Sequence, residues 1–340
     1  MSGREVNNEK IIVAENMSKS YAYYQKDAGL KGSIKNLFKR ERLDKPAVKN
    51  LSFQINQGSM TGLIGLNGAG KTTTLKMLSG LILPTSGKLT VLQYNPFEKK
   101  KEYLRQISMV MGNKSQLWWD LPAVDSFELN KTVYEVEKAE YKKTLHTMIE
   151  ILGVEKQVNV QVRRLSLGER MKMELIAALI HKPELIFLDE PTIGLDIITQ
   201  YNIRDFLKHY CNTYHATLIL TSHNFNDIVS LCTELILINK GEKIYSDSFL
   251  DFKNRFLNKK YFILKLKFPI AENIISTLQE KGIRSAEKTA DDTVKISADS
   301  AESLAILKSI SDDFIEKLSD ITIENSSMED VIRKLYTADE

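Results

Sequence analysis

The residues of this 340-residue chain best suited to chemistry begin with the stretch MTGLIGLNGAGKTTTLKML, Met60 to Leu78. Gly65, Gly70, Lys71 and Thr72 fill every fixed position of G-x-x-x-x-G-K-[ST], with Leu66, Asn67, Gly68 and Ala69 between them. Such a loop binds phosphate: glycines allow the tight turn, backbone N–H groups wrap the oxygens, and the following helix adds the positive end of its dipole. Lys71 is then placed to reach the β- and γ-phosphates, and the Thr72 hydroxyl to ligate Mg2+. The context agrees, because apolar Leu63-Ile64 reads as a buried strand and the residues from Lys71 onward as a helix.

Three further stretches carry polar groups in suggestive positions. Leu185-Ile186-Phe187-Leu188 is an apolar run of strand length that ends in Asp189-Glu190, the pattern of a buried parallel strand delivering two carboxylates at its carboxyl end. Thr217 to Thr221 (TLILT) is another such strand and ends at Ser222-His223, which brings one more polar group to the same edge. Arg164-Leu165-Ser166-Leu167-Gly168-Glu169 precedes the helical MKMELIAALI, so Ser166 and Gly168 fall where a helix starts and its N–H groups lack partners, a second place for an anion.

Strands and helices alternate around these residues. Strands are expected at Lys10 to Asn16, over Leu51, Phe53 and Ile55, at Lys88 to Leu92 and at Arg105 to Met111. Tyr141, Leu145, Met148, Ile149 and Leu152 form the apolar stripe of a helix closed by Gly153. Tyr21, Tyr23 and Tyr24 form an aromatic cluster that fits either packing or stacking on a base. About residues 25–46, Leu30, Ile34, Leu37 and Phe38 recur at helical spacing among lysines and arginines. This basic amphipathic insertion fits a solvated surface helix or contact with anionic lipid. LILINKGEKIYS reads as a hairpin turning at Asn239-Lys240-Gly241, and the first domain is expected to end near residue 255. Beyond it, Phe262, Leu264, Leu266 and Phe268 alternate with lysines, and amphipathic stretches near 271–281 and 301–310 and a last helix around Val331, Ile332 and Leu335 complete a small α+β domain.

Composition narrows the class. The 47 Lys+Arg against 44 Asp+Glu give a net charge of +3, too mild to make nucleic acid the main partner. Cys211 and Cys232 have neither metal-ligand spacing nor a small secreted scaffold around them, so buried thiols are expected in place of a disulfide or zinc site. The polar MSGREVNNEK start lacks the apolar core of a signal peptide, and no run approaches the ~18 apolar residues that span a bilayer, so a soluble chain is expected and any membrane role needs a partner.

The order phosphate loop, Ser-x-Gly, strand with Asp-Glu, Gly194-Leu195-Asp196 and then Ser222-His223 resembles the nucleotide-binding subunit of an ATP-binding cassette (ABC) transporter across roughly residues 8–255. Leu165-Ser166-Leu167-Gly168-Glu169 occupies that family's signature position, whose usual form is L-S-G-G-Q; Leu167 and Glu169 depart from it, while Ser166 and Gly168 are retained. The resemblance implies an α/β fold: a P-loop NTPase core with a helical signature subdomain at about 113–180, followed by the α+β domain at 260–340. It implies ATP and Mg2+ as ligands, with nucleotide contacts from Asn67, Gly68, Ala69, Gly70, Lys71, Thr72 and Thr73. Asp189 becomes the water-mediated Mg2+ partner beside Thr72, and Glu190 the general base. His223 becomes the γ-phosphate switch. Asp196 becomes the residue that communicates across a dimer. Tyr21 fits the adenine-stacking aromatic, with Tyr23 and Tyr24 as substitutes. Where the family carries a glutamine touching the Mg2+ site, alignment on Leu117 puts Asn113, with Gln116 as the competing candidate.

The resemblance also supplies partners. Two ATPase subunits, identical or different, stack head to tail so that Ser166, Gly168 and Glu169 of one meet the ATP held at Lys71 of the other. Separate permeases supply the pathway, the chain sits peripherally at the cytoplasmic face of the cell membrane, and the C-terminal extension resembles that of exporters of the drug and antibiotic self-resistance group. Trp118-Trp119 cannot both face one way on a strand, and Pro122 follows, so at least one ring is expected to be exposed to receive a permease. The competing reading is a soluble ABC ATPase acting on ribosome or DNA; such chains carry two cassettes or long coiled coils, and this one has a single cassette and no sustained heptads.

Overall fold

The computed structural model describes residues 9–24, 42–112, 114–268, 271–280, 283, 285–299 and 301–337. The chain divides into two compact units after Ser248.

In the first unit, β1 (Lys10–Tyr24) and β2 (Arg42–Asn56) pair antiparallel along almost their whole length, and β4 (Ser86–Val91) pairs with the other edge of β1. Leu51, Phe53 and Ile55 are buried on β2 as the alternation requires. The sequence reading stops the first strand at Asn16, where the register shifts and Asn16 takes φ 49°; the strand bends there and continues to Tyr24. Residues 42–46, assigned above to the basic insertion, instead extend β2 opposite Ser20 to Tyr24. The rest of that insertion, 25–41, lies outside the described residues.

The second sheet comprises β3 (Met60–Ile64), β5 (Ile107–Met111), β6 (Leu185–Asp189), β7 (Thr217–Thr221), β8 (Glu234–Asn239) and β9 (Glu242–Ser248), in the order β5-β6-β7-β3-β8-β9. The first five are parallel, and β9 closes the edge as an antiparallel hairpin with β8. Every residue of β3, β6 and β7 is buried, as in parallel strands covered on both faces. The covering helices are α1 (Lys71–Leu78), α2 (Lys101–Gln106), α3 (Ala123–Val133), α4 (Lys138–Leu152), α5 (Leu167–Leu179), α6 (Ile197–Tyr214) and α7 (Phe225–Leu231). Arg105 and Gln106, expected as strand, end α2, and β5 starts at Ile107. In α4 the stripe turns Tyr141, Met148 and Leu152 fully inward, and Gly153 closes the helix at φ 61°. One core joins the two sheets: Leu51 and Ile55 pack in the same cluster as Leu63, Leu75, Leu78, Phe187 and Ile219.

The second unit opens with α8 (Phe249–Phe256), a helix that the sequence reading left in the first domain. It continues as β10 (Lys259–Leu266), α9 (Ala271–Glu280), β11 (Ala286–Ala290), β12 (Thr293–Asp299), α10 (Ser303–Phe314), β13 (Leu318–Asn325) and α11 (Met328–Thr337). From β10 to β13 this is a βαββαβ unit with antiparallel order β11-β12-β10-β13, the ferredoxin-like arrangement. Its core is built from Phe262, Leu264 and Leu266 with Val294, Ile296 and Ile310; Phe268 lies past the strand end and is exposed. No helix among the described residues is long and apolar enough to cross a membrane.

Because the phosphate loop, the Asp189 strand and the His223 strand all belong to the first unit, a chain ending at Ser248 is expected to keep the parent's affinity for ATP, read by titration with a fluorescent analogue. A truncated chain that folds by circular dichroism yet binds no ATP would refute that division.

Candidate nucleotide-binding site

Strand order, more than any single motif, assembles the site. Met111, Asp189, Thr221 and Leu63 stand side by side in one row across β5, β6, β7 and β3, each the register partner of the next. The residues that follow in each strand therefore leave the sheet at one level, at the carboxyl ends where ligands of open parallel sheets bind. Gly112, Glu190, Ser222 and the phosphate loop thus share one edge.

The loop itself fits only as glycine in places. Gly70 sits at φ 106°, and a Cβ there would lie 2.5 Å from the Ala47 carbonyl oxygen of β2. Two obstacles, the left-handed backbone and the close approach, thus exclude a side chain. Lys71 curls back over the loop, donating from Nζ to the carbonyl oxygens of Gly65 at 2.8 Å and Leu66 at 3.2 Å. Burial pushes its ammonium below the ordinary lysine range, against the pull of Glu190 and Asp189. Thr72 donates its hydroxyl to the two Asp189 oxygens, at 3.0 and 2.9 Å, and Thr221 donates to Oδ1 at 2.7 Å. A hydroxyl and a carboxylate in contact form an oxygen-only donor set, which suits Mg2+.

Glu190 follows in the left-handed region at φ 55°, uncommon for a residue with a long side chain. Its N–H donates to the Thr221 carbonyl at 3.0 Å, and a Cβ on Gly112 would meet its carbonyl oxygen at 2.4 Å. The backbone is clamped from both neighbouring strands, which is how a strained residue persists at a site. The Glu190 carboxylate lies 2.7 Å from His223 Nε2. The structure thus brings Lys71, Thr72, Asp189, Glu190 and His223 together, and the set can grip a phosphate, hold a hard cation and accept a proton from water.

The second group forms around the start of α5. Ser166 is its N-cap: its hydroxyl accepts from the Glu169 N–H at 3.3 Å, and the Glu169 carboxylate returns to the Ser166 N–H at 2.9 Å. This is a capping box, completed by Gln157 donating to the other Glu169 oxygen at 3.1 Å. The Glu169 position, unusual for the signature, therefore has a local structural use. A Cβ on Gly168 would meet Thr199 Cγ2 at 2.8 Å, and the Thr199 N–H donates to Asp196 Oδ1 at 2.9 Å, so the signature and Asp196 are neighbours. Among the described residues, Ser166 and Glu169 make no hydrogen bond or ion pair to Lys71, Thr72, Asp189 or Glu190.

The remaining sequence candidates are placed as follows. Tyr21 is exposed on β1, with Lys19 Nζ 5.4 Å from its ring centre. Asn113 lies outside the described residues. Gln116 donates its amide to the Met109 carbonyl at 2.7 Å, which turns it back along β5. Trp118 and Trp119 are each 49% exposed, and the Arg170 guanidinium stands 5.3 Å from the Trp119 ring centre. Sequence reasoning missed Thr221 as a partner of Asp189. It also missed Glu174, buried on α5, whose carboxylate accepts from the Ser115 hydroxyl at 2.5 Å and from the Gln116 N–H at 3.0 Å. A lone glutamate inside the apolar run MELIAALI was the available signal.

Comparison with known proteins agrees with this geometry. Residues 48–193 match the ABC transporter family. The bacitracin transport ATP-binding protein BcrA of Bacillus licheniformis is 30% identical over 292 residues, spanning 85% of this chain and 92% of that protein. The linearmycin resistance ATP-binding protein LnrL of Bacillus subtilis (strain 168) is 33% identical over 200 residues, 59% of this chain and 64% of its own length. Among solved structures, a dimeric post-hydrolysis ATP-binding cassette bound to ADP and Pi matches with a TM-score of 0.57 at 22% identity, over 70% of this chain and 98% of that one, a likeness of fold alone. The chain belongs to the ABC transporter family. It binds and hydrolyses ATP as the subunit that powers transport.

The capping box yields a prediction. Ser166→Ala removes the N-cap and should cost about 1 kcal/mol, read by urea denaturation. The Ser166 backbone N–H, first among its partners, holds the Glu169 carboxyl below the usual range. A lowered folded pKa stabilises the fold above the unfolded value and loses that contribution as pH falls through the folded one. The alanine variant keeps that backbone N–H, so only the part of the difference carried by the Ser166 hydroxyl, which donates to Glu169 Oε2 at 2.8 Å, should be lost at acidic pH; a difference that grows on acidification would count against the box.

Proposed function

We propose that this chain is the ATPase subunit of an exporter, working as one of two ATPase subunits, identical or different, on separate membrane permeases at the cytoplasmic face of the cell membrane. The observation that carries the proposal is the row Met111-Asp189-Thr221-Leu63, which gathers phosphate grip, carboxylates and histidine at one sheet edge. Mg2+ would be held by Thr72 and Asp189, with Asn113 as the candidate from the sequence for a further amide contact. Gln116 is the weaker candidate for that contact because its amide is engaged on Met109. Glu190 takes the proton of the attacking water, His223 orients Glu190 and contacts the γ-phosphate, and Lys71 balances charge on the transferred group. Tyr21 stacks on adenine, and the unit after Ser248 is an accessory domain that binds no nucleotide.

A head-to-tail dimer completes each site by setting Ser166, Gly168 and Glu169 of one subunit against the nucleotide of the other, with Asp196 at the seam. Leu167 is 39% exposed, Ile197 81% and Ile198 73%, an apolar cluster around Asp196 that a partner subunit would cover. Export is favoured by relatives named for bacitracin transport and linearmycin resistance.

Two experiments test the reading. Glu190→Gln keeps the shape of the side chain and removes the base, so turnover should fall by ~10²–10⁴ while ATP binding persists and an ATP-bound dimer accumulates on size exclusion. Parent-rate hydrolysis would reject Glu190 as the base. For the permease surface, at least one of Trp118→Ala and Trp119→Ala should leave a folded, ATP-binding subunit that no longer co-purifies with its permease or supports transport. If both variants unfold, or both keep full transport, the tryptophan pair is not the docking surface.

A further inference from the structure

Asp227 is fully buried in the first turn of α7 and belongs to no motif identified in the sequence. Its carboxylate is nevertheless the meeting point of three segments. Oδ2 accepts from the hydroxyls of Thr192 and of Ser222, the latter at 2.6 Å, and Oδ1 accepts from Arg204 Nη1 at 2.9 Å. Thr192 stands two residues after Glu190, Ser222 immediately before His223, and Arg204 on the helix that starts beside Asp196. The far side of His223 is tied as well: the Asn224 amide donates to Gln200 Oε1 at 2.8 Å, and Gln200 donates to the Leu195 carbonyl at 2.9 Å. Both neighbours of the histidine are thereby fixed against the loop that carries Glu190 and Asp196.

A buried carboxylate is costly unless paired and fully hydrogen-bonded. Asp227 meets that condition only while the Thr192, Ser222 and Arg204 segments keep their spacing, so its charge locks their relative positions. We infer that Asp227 is a positioning residue for ATP hydrolysis, holding the His223 loop and the Glu190 loop at the separation that their 2.7 Å contact requires. Among the described residues its side chain makes no hydrogen bond to Lys71, Thr72, Asp189 or Glu190, and it acts through His223. The inference rests on the roles proposed above for Glu190 and His223.

The test is a double-mutant cycle on the full chain. Asp227→Asn keeps volume, weakens the grip on the two hydroxyls and leaves Arg204 without its counter-charge. We expect kcat to fall by about 10- to 100-fold, the scale of a misplaced catalytic group, with ATP affinity unchanged because Lys71 and Thr72 are untouched. In a His223→Ala background the same change should add less than about twofold, since residues acting as one unit are not additive. If the losses multiply, or if ATP affinity and thermal stability fall in step with kcat, Asp227 is a structural anchor and the inference is overturned. Should Asp227→Asn fail to fold, Thr192→Val and Ser222→Ala each remove one donor to the carboxylate and carry the same cycle; folded variants with the parent's kcat also overturn it. A His223→Ala protein with the parent's rate would instead refute the catalytic reading of His223.

Discussion

The nucleotide end of the molecule depends on one buried carboxylate. Asp189 ends a strand whose every residue is buried, and a charge in that position is tolerated only with partners on hand. Thr72 from α1 and Thr221 from β7 supply them. The phosphate-loop helix is thereby tied to β6, and β6 to β7, by the same group whose chemistry suits Mg2+. Replacing the carboxylate with an apolar residue would loosen the positions of three elements together.

Around that point one residue is held in a backbone conformation that costs free energy: Glu190 lies at positive φ, while Gly70 and Gly112 give the close backbone approaches beside it that a side chain would block. Strain of the Glu190 kind is of order 1–3 kcal/mol and persists only where surrounding packing over-determines it. Leu63, Phe187, Ile219 and Ile236, buried together in the core of the same strands, provide that packing. Rigidity below and strain above are two sides of one arrangement: a flexible sheet would relax Glu190 away from His223.

The helical segment between β5 and β6 is joined to the site through a different buried acid. Glu174 holds the Ser115 hydroxyl and the Gln116 backbone, fastening the loop after β5 to the helix whose first turn carries the Ser166 capping box. The two exposed tryptophans follow that loop directly, and Arg170, one turn before Glu174, stands over Trp119. A displacement of the β5 end would thus be felt at both the tryptophan surface and the signature helix. Mechanical linkage of this kind is what a transport ATPase requires.

Much of this was legible in the chain itself. The phosphate loop is local chemistry, glycines where N–H groups must converge and a lysine and threonine at fixed steps, so eight consecutive residues determine it. The carboxylate strand and the histidine strand were legible for the same reason: an unbroken apolar run that ends in polar groups has few other uses in a parallel sheet. The Ser166 helix start followed from its place just ahead of the helical MKMELIAALI. What sequence could not reach depends on which strands are neighbours. Only the order β5-β6-β7-β3 makes Thr221 a partner of Asp189, and only the fold brings Thr192, Ser222, Arg204 and Asp227 to one point from four places in the chain. The long continuation of β1 and β2 past Asn16 was hidden as well, because a bent strand interrupts the period of two on which strand reading rests. Local spacing determined the ligand-binding groups of this protein; long-range pairing of buried strands decided what holds them in place.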